Sequence, residues 1–460
     1  MTRDAALSLS DDAFDTGTFW HALAELVRIP SESQNLAAAP HLADYLTDQI
    51  IPRAERLGMT CTLLPNPAGG APFLLATRIE DPTLPTVLSY GHGDVTRAQS
   101  PDWDDGLTPF ELTHVGDRVY GRGTADNKGQ HLINLTALEC VLKTRGHLGF
   151  NLKLLMEMGE EIGSPGLADL CETEQDRLKA DVLIASDGPR LDPDTPTLFM
   201  GARGALNFEL SIDLRPGAHH SGNWGGLLAD PAMILSHALA TITDARGAIQ
   251  IPEWRPQTLT QDIRTVLADL PEPKGADPDW GEPNLSPAER VFGWNAFSIL
   301  ALHAGKPEAP VNAIAGNARA TCQLRFVVGT RAQDILPALR RHLDRHGFDH
   351  VTITGADEGP FEATRLGPNH PWAQFAITSI TRTVGRKPHV LPNLGGSLPN
   401  ACFAETLGLP TIWVPHSYAG CNQHAPNEHV LKPTVRQATQ VMTGLFWDIA
   451  PHAPRKIKPD

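Results

Sequence analysis

Short apolar runs punctuated by polar helical stretches dominate the first 200 residues. Thr86-Val87-Leu88-Ser89-Tyr90, Asn151-Leu152-Lys153-Leu154-Leu155-Met156 and Asp181-Val182-Leu183-Ile184-Ala185 read as buried strands. Between the first two, Asn127 to about Lys143 places Leu132, Leu135, Leu138 and Leu142 at helical spacing, with Gly146 just beyond as a stop. Strand and helix in alternation predict an α/β domain whose sheet is largely parallel and covered by helices.

The pattern changes near Gly204. Asn207 to Leu214 alternates as a strand, and Asp230-Pro231 is a helix start, with Asp at the cap and Pro in the first turn, for a helix reaching about Ile242. Residues 250–310 are rich in Pro and Trp and show little periodicity. Strands are expected again at Ala320 to Val328 and Val351 to Thr354, with a helix over Ala332 to His346 between them. Beyond Glu358 the first pattern resumes: a helix from Pro371 to Val384 stopped by Gly385, a strand from Thr411 to Val414, and a closing helix from Thr434 to Ile449. The economical reading is a discontinuous catalytic domain, residues 1–204 and 359–460, interrupted by an inserted α+β lid at 205–358.

Composition narrows the partners. The 460 residues carry a net charge of −15, which argues against a nucleic-acid or anionic-membrane surface and favours a small polar substrate. No apolar run is long enough for a spanning helix and the start lacks an export signal, so a soluble, cytoplasmic protein is expected. The six cysteines form no CxxC pair and are expected as free thiols.

Metal-capable side chains gather at or just beyond the strand ends, where an open α/β sheet places its ligand crevice. His92 and Asp94 follow the Tyr90 strand, and Asp126 lies in Gly121-Arg122-Gly123-Thr124-Ala125-Asp126-Asn127-Lys128-Gly129 ahead of a helix. Glu160 and Glu161 follow the Met156 strand, Asp187 the Ala185 strand, and His424 the Val414 strand. Singly, each has an ordinary explanation: a turn histidine, a solvated acid pair, a helix cap. In order, they form a far rarer conjunction.

That order resembles the zinc-dependent exopeptidase family of carnosinases, cytosolic nonspecific dipeptidases, aminoacylases and glutamate carboxypeptidases. His219-His220-Ser221-Gly222-Asn223-Trp224-Gly225-Gly226, Gly395-Gly396-Ser397-Leu398-Pro399 and His424-Ala425-Pro426-Asn427-Glu428 resemble its HSGxxGG, GGSxP and HxxNE segments and lean toward the dipeptidase branch. The resemblance implies two divalent ions bridged by Asp126, with His92 and Asp187 completing one and Glu161 and His424 the other. Cations roughly 3.5–4 Å apart need such a shared anion, because their repulsion must be offset at short range. Imidazole with carboxylate suits zinc, and manganese or cobalt also fit.

By the same resemblance Glu160 is the general base and Asp94 fixes the tautomer of His92. His220, with His219 as its rival, is the lid histidine that reaches a partner subunit's site and stabilises an oxyanion. Asn312 and Arg325 hold the substrate's backbone and carboxylate, and Gly396 and Ser397 line the same pocket. His370 reads equally well as a helix cap. Gly93 departs from the bulkier residue usual between the His and Asp of this family, and a looser backbone is expected there.

The expected activity is metal-dependent hydrolysis of dipeptides or short unblocked peptides by a homodimer joined through the lid. N-acyl amino-acid hydrolysis or carboxypeptidase action uses the same metal chemistry and stays open, as does, remotely, a noncatalytic metal-binding protein. A serine hydrolase lacks its GxSxG elbow, neither GxGxxG nor GxxxxGK occurs, and a cysteine hydrolase on Cys421 and His424 leaves the acidic cluster unexplained.

Overall fold

The computed structural model describes residues 2–273, 275–356 and 359–454. It divides into two compact units: Met1–Gly201 with Leu366–Leu391 and Pro399–Asp460, and Ala202–Arg365 with Pro392–Leu398. The boundary expected at 358 falls on residues 357–358, which lie outside the described residues.

The first unit is built on an eight-stranded sheet. Its centre is parallel: Asn151–Glu157, Thr86–His92, Val182–Ala185 and Thr411–Trp413 lie side by side in that order. Toward one edge Phe73–Arg78 and Thr60–Leu64 add antiparallel strands, so the whole sheet is mixed. Every residue of Asn151–Glu157 is buried, as expected for a strand covered on both faces. The helix Lys128–Arg145 is buried along most of its length and ends at Gly146, whose φ of +87° is a left-handed stop that glycine adopts without strain. It packs against the helices Arg3–Asp15 and Lys432–His452. Because the central strands run parallel, their carboxyl ends lie on one side, and the polar residues after Tyr90, Met156 and Ala185 are carried there together.

The second unit is a four-stranded antiparallel sheet, in the order Ala296–Ala304, Asn317–Phe326, Gly204–Asp213, Thr352–Gly355. Gly204–Asp213 and Asn317–Phe326 alternate buried and exposed residues along their length, the signature of a sheet with one face on a core. The helices Pro231–Ile242 and Ala332–Arg345 contribute to that core. Asp230 caps the former by accepting the N–H groups of Ala232 (2.9 Å) and Met233 (3.4 Å). Among its described residues the Pro- and Trp-rich stretch holds two short α-helices, Gln261–Ala268 and Pro287–Phe292, and the edge strand Ala296–Ala304, whose residues include the exposed Ile299, Leu300 and Leu302. An edge strand without a hydrophobic inner alternation has no period to read, so this element was not legible in the sequence.

Candidate metal centre

The site is assembled on the first unit by three kinds of scaffold. His92 is the last residue of the strand Thr86–His92, and Asp187 stands two residues beyond Val182–Ala185. Asp126 belongs to the loop that leads into the helix Lys128–Arg145. Glu160 and Glu161 open the single turn Glu160–Ile162 after the strand Asn151–Glu157, and His424 lies in the loop before the strand His429–Leu431.

In the fold these residues form two triads sharing Asp126. One atom from each of His92, Asp126 and Asp187 lies within 4.8 Å of the others, and the same holds for Asp126, Glu161 and His424. Oδ1 of Asp126 is 3.1 Å from His92 Nε2, while Oδ2 is 2.8 Å from His424 Nε2. The two oxygens of one carboxylate therefore face different triads. His92 Nε2 is also 3.6 Å from Asp187, and His424 Nε2 is 3.1 Å from Glu161. Glu160 comes within 4.0 Å of His92 Nε2 without belonging to either triad.

Such a density of acid in a buried place perturbs every member. Burial, reinforced by the neighbouring charge of Asp126, pushes Glu161 up to about 7 and Asp187 up to about 6. Burial raises Glu160 well above the usual carboxylate range. Asp126 goes the other way: burial pushes up, but hydrogen bonds from His424 and His92 outweigh it and hold the group below its ordinary value. His424 is raised to about 11 by its hydrogen bonds to Asp126 and Glu161. Two imidazoles thus stand between carboxylates whose converging oxygens hold more negative charge than the site neutralises. This donor set of imidazole nitrogen and carboxylate oxygen fits a pair of divalent cations, and the residues of the two triads would hold them.

Supporting groups fix the donors. Asp94 is fully buried; its carboxylate lies 3.3 Å from His92 Nδ1 and accepts the backbone N–H groups of Glu160 (3.2 Å) and Glu161 (3.1 Å). The closer partner of His92 Nδ1 is the Asp94 carbonyl, at 3.1 Å. Asp94 therefore ties the turn bearing both glutamates to the strand bearing the imidazole. The looseness expected at Gly93 is not found. Its N–H donates to the Glu157 carbonyl at 2.9 Å, its carbonyl accepts from the Ser31 hydroxyl at 2.6 Å, and a Cβ there would stand 2.3 Å from the Tyr45 ring. Glycine is required at 93 by the ring packed on it, and the backbone is pinned.

Two supporting elements carried no assigned role in the sequence. Glu428, buried beside Arg122, accepts the N–H groups of Gly123 (3.0 Å), Ala125 (2.8 Å) and Asp126 (3.1 Å) and pairs with the Arg122 guanidinium at 2.8 Å. It clamps the Asp126 loop, and the only signal for it was its place in the HAPNE segment. Behind the site, Tyr45 Oη meets His131 Nε2 at 2.7 Å and His131 Nδ1 meets Asn127 at 3.2 Å; burial holds His131 well below its ordinary pKa, so it stays neutral. Gln423 hydrogen-bonds Asp126 directly.

The remaining expected residues lie on the second unit. Arg325 donates to the Ser397 hydroxyl at 2.7 Å and to the Gln323 side chain at 3.0 Å, and the carbonyl of Gly396 accepts from the N–H of Arg203 at 3.2 Å. Exposed His220 accepts the Gly222 N–H at 3.1 Å, while His219 has an unpartnered buried Nδ1 and packs edge-on against Trp224. The carbonyl of exposed Asn312 accepts the Ser221 N–H at 2.9 Å. On the first unit, His370 caps its helix by accepting the Trp372 N–H at 3.2 Å.

A mixed sheet with two acid-and-imidazole triads at its strand ends, joined by one aspartate, is an arrangement suited to a metal-dependent hydrolase. Comparison with known proteins gives the family. Residues 88–448 match peptidase family M20/M25/M40, and the chain belongs to it. It is 39% identical over 404 residues to a Beta-Ala-His dipeptidase of Mus musculus, covering 82% of this chain and 80% of the relative. It is 33% identical over 449 residues to a Cys-Gly metallodipeptidase of Candida albicans, covering 89% and 90%. A solved metallo-carboxypeptidase of the M20 family from Sulfolobus solfataricus superposes with a TM-score of 0.78 at 26% identity, covering 94% of this chain and 99% of that one. Among the described residues, no helix is long and apolar enough to cross a membrane.

Proposed function

We propose that this protein hydrolyses dipeptides or short unblocked peptides, using two divalent ions, zinc foremost, held by His92, Asp126, Asp187, Glu161 and His424. The observation that carries the reading is the division of the Asp126 carboxylate, one oxygen to each triad. The names of the relatives, a Beta-Ala-His dipeptidase and a Cys-Gly metallodipeptidase, support the dipeptide as substrate. Bound ions supply Lewis acidity that polarises the scissile carbonyl and makes a water nucleophilic at neutral pH.

The chain's own groups then move the proton and hold the peptide. Glu160 belongs to neither triad and stays available as the base, taking a proton from the attacking water and returning it to the leaving amine. Burial raises its pKa above the ordinary carboxylate range, so it holds a proton more tightly than an exposed glutamate does. Asp94 keeps Glu160 in place through the backbone N–H. Arg325, with Ser397 and Gly396, grips the substrate's carboxylate, Asn312 its backbone, and His220 reaches a partner subunit's site and donates to the oxyanion developing there.

The inserted unit, 205–358, acts as lid and dimerisation domain of a cytoplasmic homodimer. The edge strand Ala296–Ala304 supports this: it ends the sheet with exposed Ile299, Leu300 and Leu302, a combination that invites pairing with a second copy. The test is chelation followed by metal add-back, assayed on dipeptides and on N-acetyl amino acids with metal analysis alongside. Activity on dipeptides that disappears with the metal and returns with two equivalents per chain is the expected result. Activity confined to N-acyl substrates removes the dipeptidase reading, and activity that survives full chelation removes the metal mechanism.

A further inference from the structure

Arg203 has no role in the chemistry described so far, yet its placement is unusual for a structural arginine. It is 6% exposed, immediately before the strand Gly204–Asp213. Its backbone is bound on both sides to the segment 394–397: its N–H donates to the carbonyls of Leu394 and Gly396, each at 3.2 Å, and its carbonyl accepts from the Ser397 hydroxyl at 2.7 Å. Its guanidinium is poorly satisfied by comparison. Nη2 donates to the Arg325 carbonyl at 3.3 Å, and Nε, buried, has no partner.

The second arginine lies alongside. Antiparallel pairing sets Gly204 opposite Phe326 and Ala205 opposite Arg325, so Arg203 and Arg325 leave the same end of two neighbouring strands. A Cβ on Gly204 would stand 2.2 Å from the Phe326 ring, which keeps the two strands in tight contact at this end. Burial, then the adjacent charge of Arg325, depresses Arg203 to about 10; burial alone depresses Arg325. Among the described residues no carboxylate forms an ion pair with either guanidinium; Ser397 accepts from Arg325 Nη1 at 2.7 Å and donates to the backbone carbonyl of Arg203, so it links the two residues without touching the Arg203 guanidinium. Two like charges beside each other, Arg203 buried and Arg325 half-buried, raise the free energy of the empty site unless an anion answers both.

We propose that Arg203 and Arg325 form a two-cation anchor that selects substrates with a second carboxylate next to the terminal one, that is, dipeptides ending in aspartate or glutamate. The choice of dipeptides rests on the proposed function above. A single terminal carboxylate, taken by Arg325, leaves one positive charge and the Arg203 Nε–H unanswered. An acidic side chain supplies the missing acceptor, and a guanidinium binds a carboxylate by paired N–H donors. A basic C-terminal side chain meets the same cation and is rejected.

The test compares Ala-Glu, Ala-Ala and Ala-Lys on the metal-loaded enzyme, with kcat and KM separated, and in parallel measures calorimetrically the binding of glutarate and butyrate. The expected result is a KM about tenfold lower for Ala-Glu than for Ala-Ala and highest for Ala-Lys, with glutarate bound about tenfold more tightly than butyrate. Arg203→Met should abolish both preferences while changing the Ala-Ala KM much less, and Arg203→Lys should restore part of them. Equal KM values for Ala-Glu and Ala-Ala in the wild type overturn the proposal whether or not the variants fold, as does a uniform rise for all three substrates in Arg203→Met. If glutarate is preferred but no dipeptide is cleaved, the anchor stands and the dipeptidase reading falls; if dipeptides are cleaved without acidic preference, the reverse holds.

Discussion

The two halves of the candidate metal centre share Asp126 but are built on opposite terms. His92 and Asp187 are buried, at 0% and 2% exposure, on or just beyond strands in the middle of the parallel sheet. His424 exposes 53% of its side chain and sits in a loop where Asn422, His424 and Asn427 all adopt left-handed φ angles near +60°. Non-glycine residues in that region carry strain that the surroundings must hold in place. They are held by hydrogen bonds from other segments: the Asp104 N–H to Asn427 at 3.0 Å, the Gln99 amide to the His424 carbonyl at 3.3 Å, and the Glu428 clamp on the Asp126 loop. One half is thus fixed by the core and the other by a network at the surface. The buried half is inherited from the sheet, while the other half faces solvent.

Removing the element common to both halves should do the most damage. Asp126→Ala is expected to lose both ions and to lower kcat/KM by roughly 10⁴-fold or more, with metal analysis showing none bound. A variant that kept one tightly held ion would show the halves to be independent. Next comes Glu160→Gln, which leaves both triads intact: two ions retained, and kcat reduced by roughly 10²- to 10⁴-fold. Loss of metal in that variant would make Glu160 a ligand instead of a base.

The contrast itself is sharpened by comparing His92→Ala with His424→Ala. The first leaves the buried carboxylates of Asp126 and Asp187 without their imidazole and should cost about 3 kcal/mol in denaturant unfolding of the metal-free protein. The second also takes an imidazole from the buried carboxylates of Asp126 and Glu161, but its own side chain is half exposed, so it should weaken metal binding and cost less than the first in that unfolding curve. Equal destabilisation by both would erase the distinction drawn here.

The smallest effect expected is one of pH on the metal-free protein. Glu161 and Asp187 titrate near 7 and 6 when folded, above their ordinary values of 4.5 and 3.8. The folded state therefore binds their protons more tightly than the unfolded chain, and the stability this contributes is present at low pH and lost as pH rises through 6 to 7. The chelated protein should melt at a lower temperature at pH 8 than at pH 5, and the gap between loaded and chelated melting temperatures should widen over the same range. A gap constant with pH would mean the acids are neutralised by something other than the ions.

Much of this was legible in the sequence because the relevant signals are local. The runs ending at Tyr90, Met156 and Ala185 are apolar since both faces of the parallel sheet are covered, and the polar residue that breaks each run marks the carboxyl end where ligands belong. The helical spacing of Leu132, Leu135 and Leu138 and the cap at Asp230 were likewise readable. The edge strand Ala296–Ala304 was not, since its exposed apolar residues follow no burial period, and neither was the pinning of Gly93 by a tyrosine 48 positions earlier in the chain.

By itself, then, the sequence determined which chemical groups are present and at which strand ends they emerge, because periodicity and order are properties of neighbours along the chain. Only the tertiary structure decided that Asp126 turns one oxygen to each imidazole, that Asp94 holds the Glu160–Glu161 turn, and that Glu428 reaches back 302 positions to grip the Asp126 N–H. Those contacts join segments far apart in sequence, and their geometry follows from how the sheet and its loops close on one another, which no local pattern encodes.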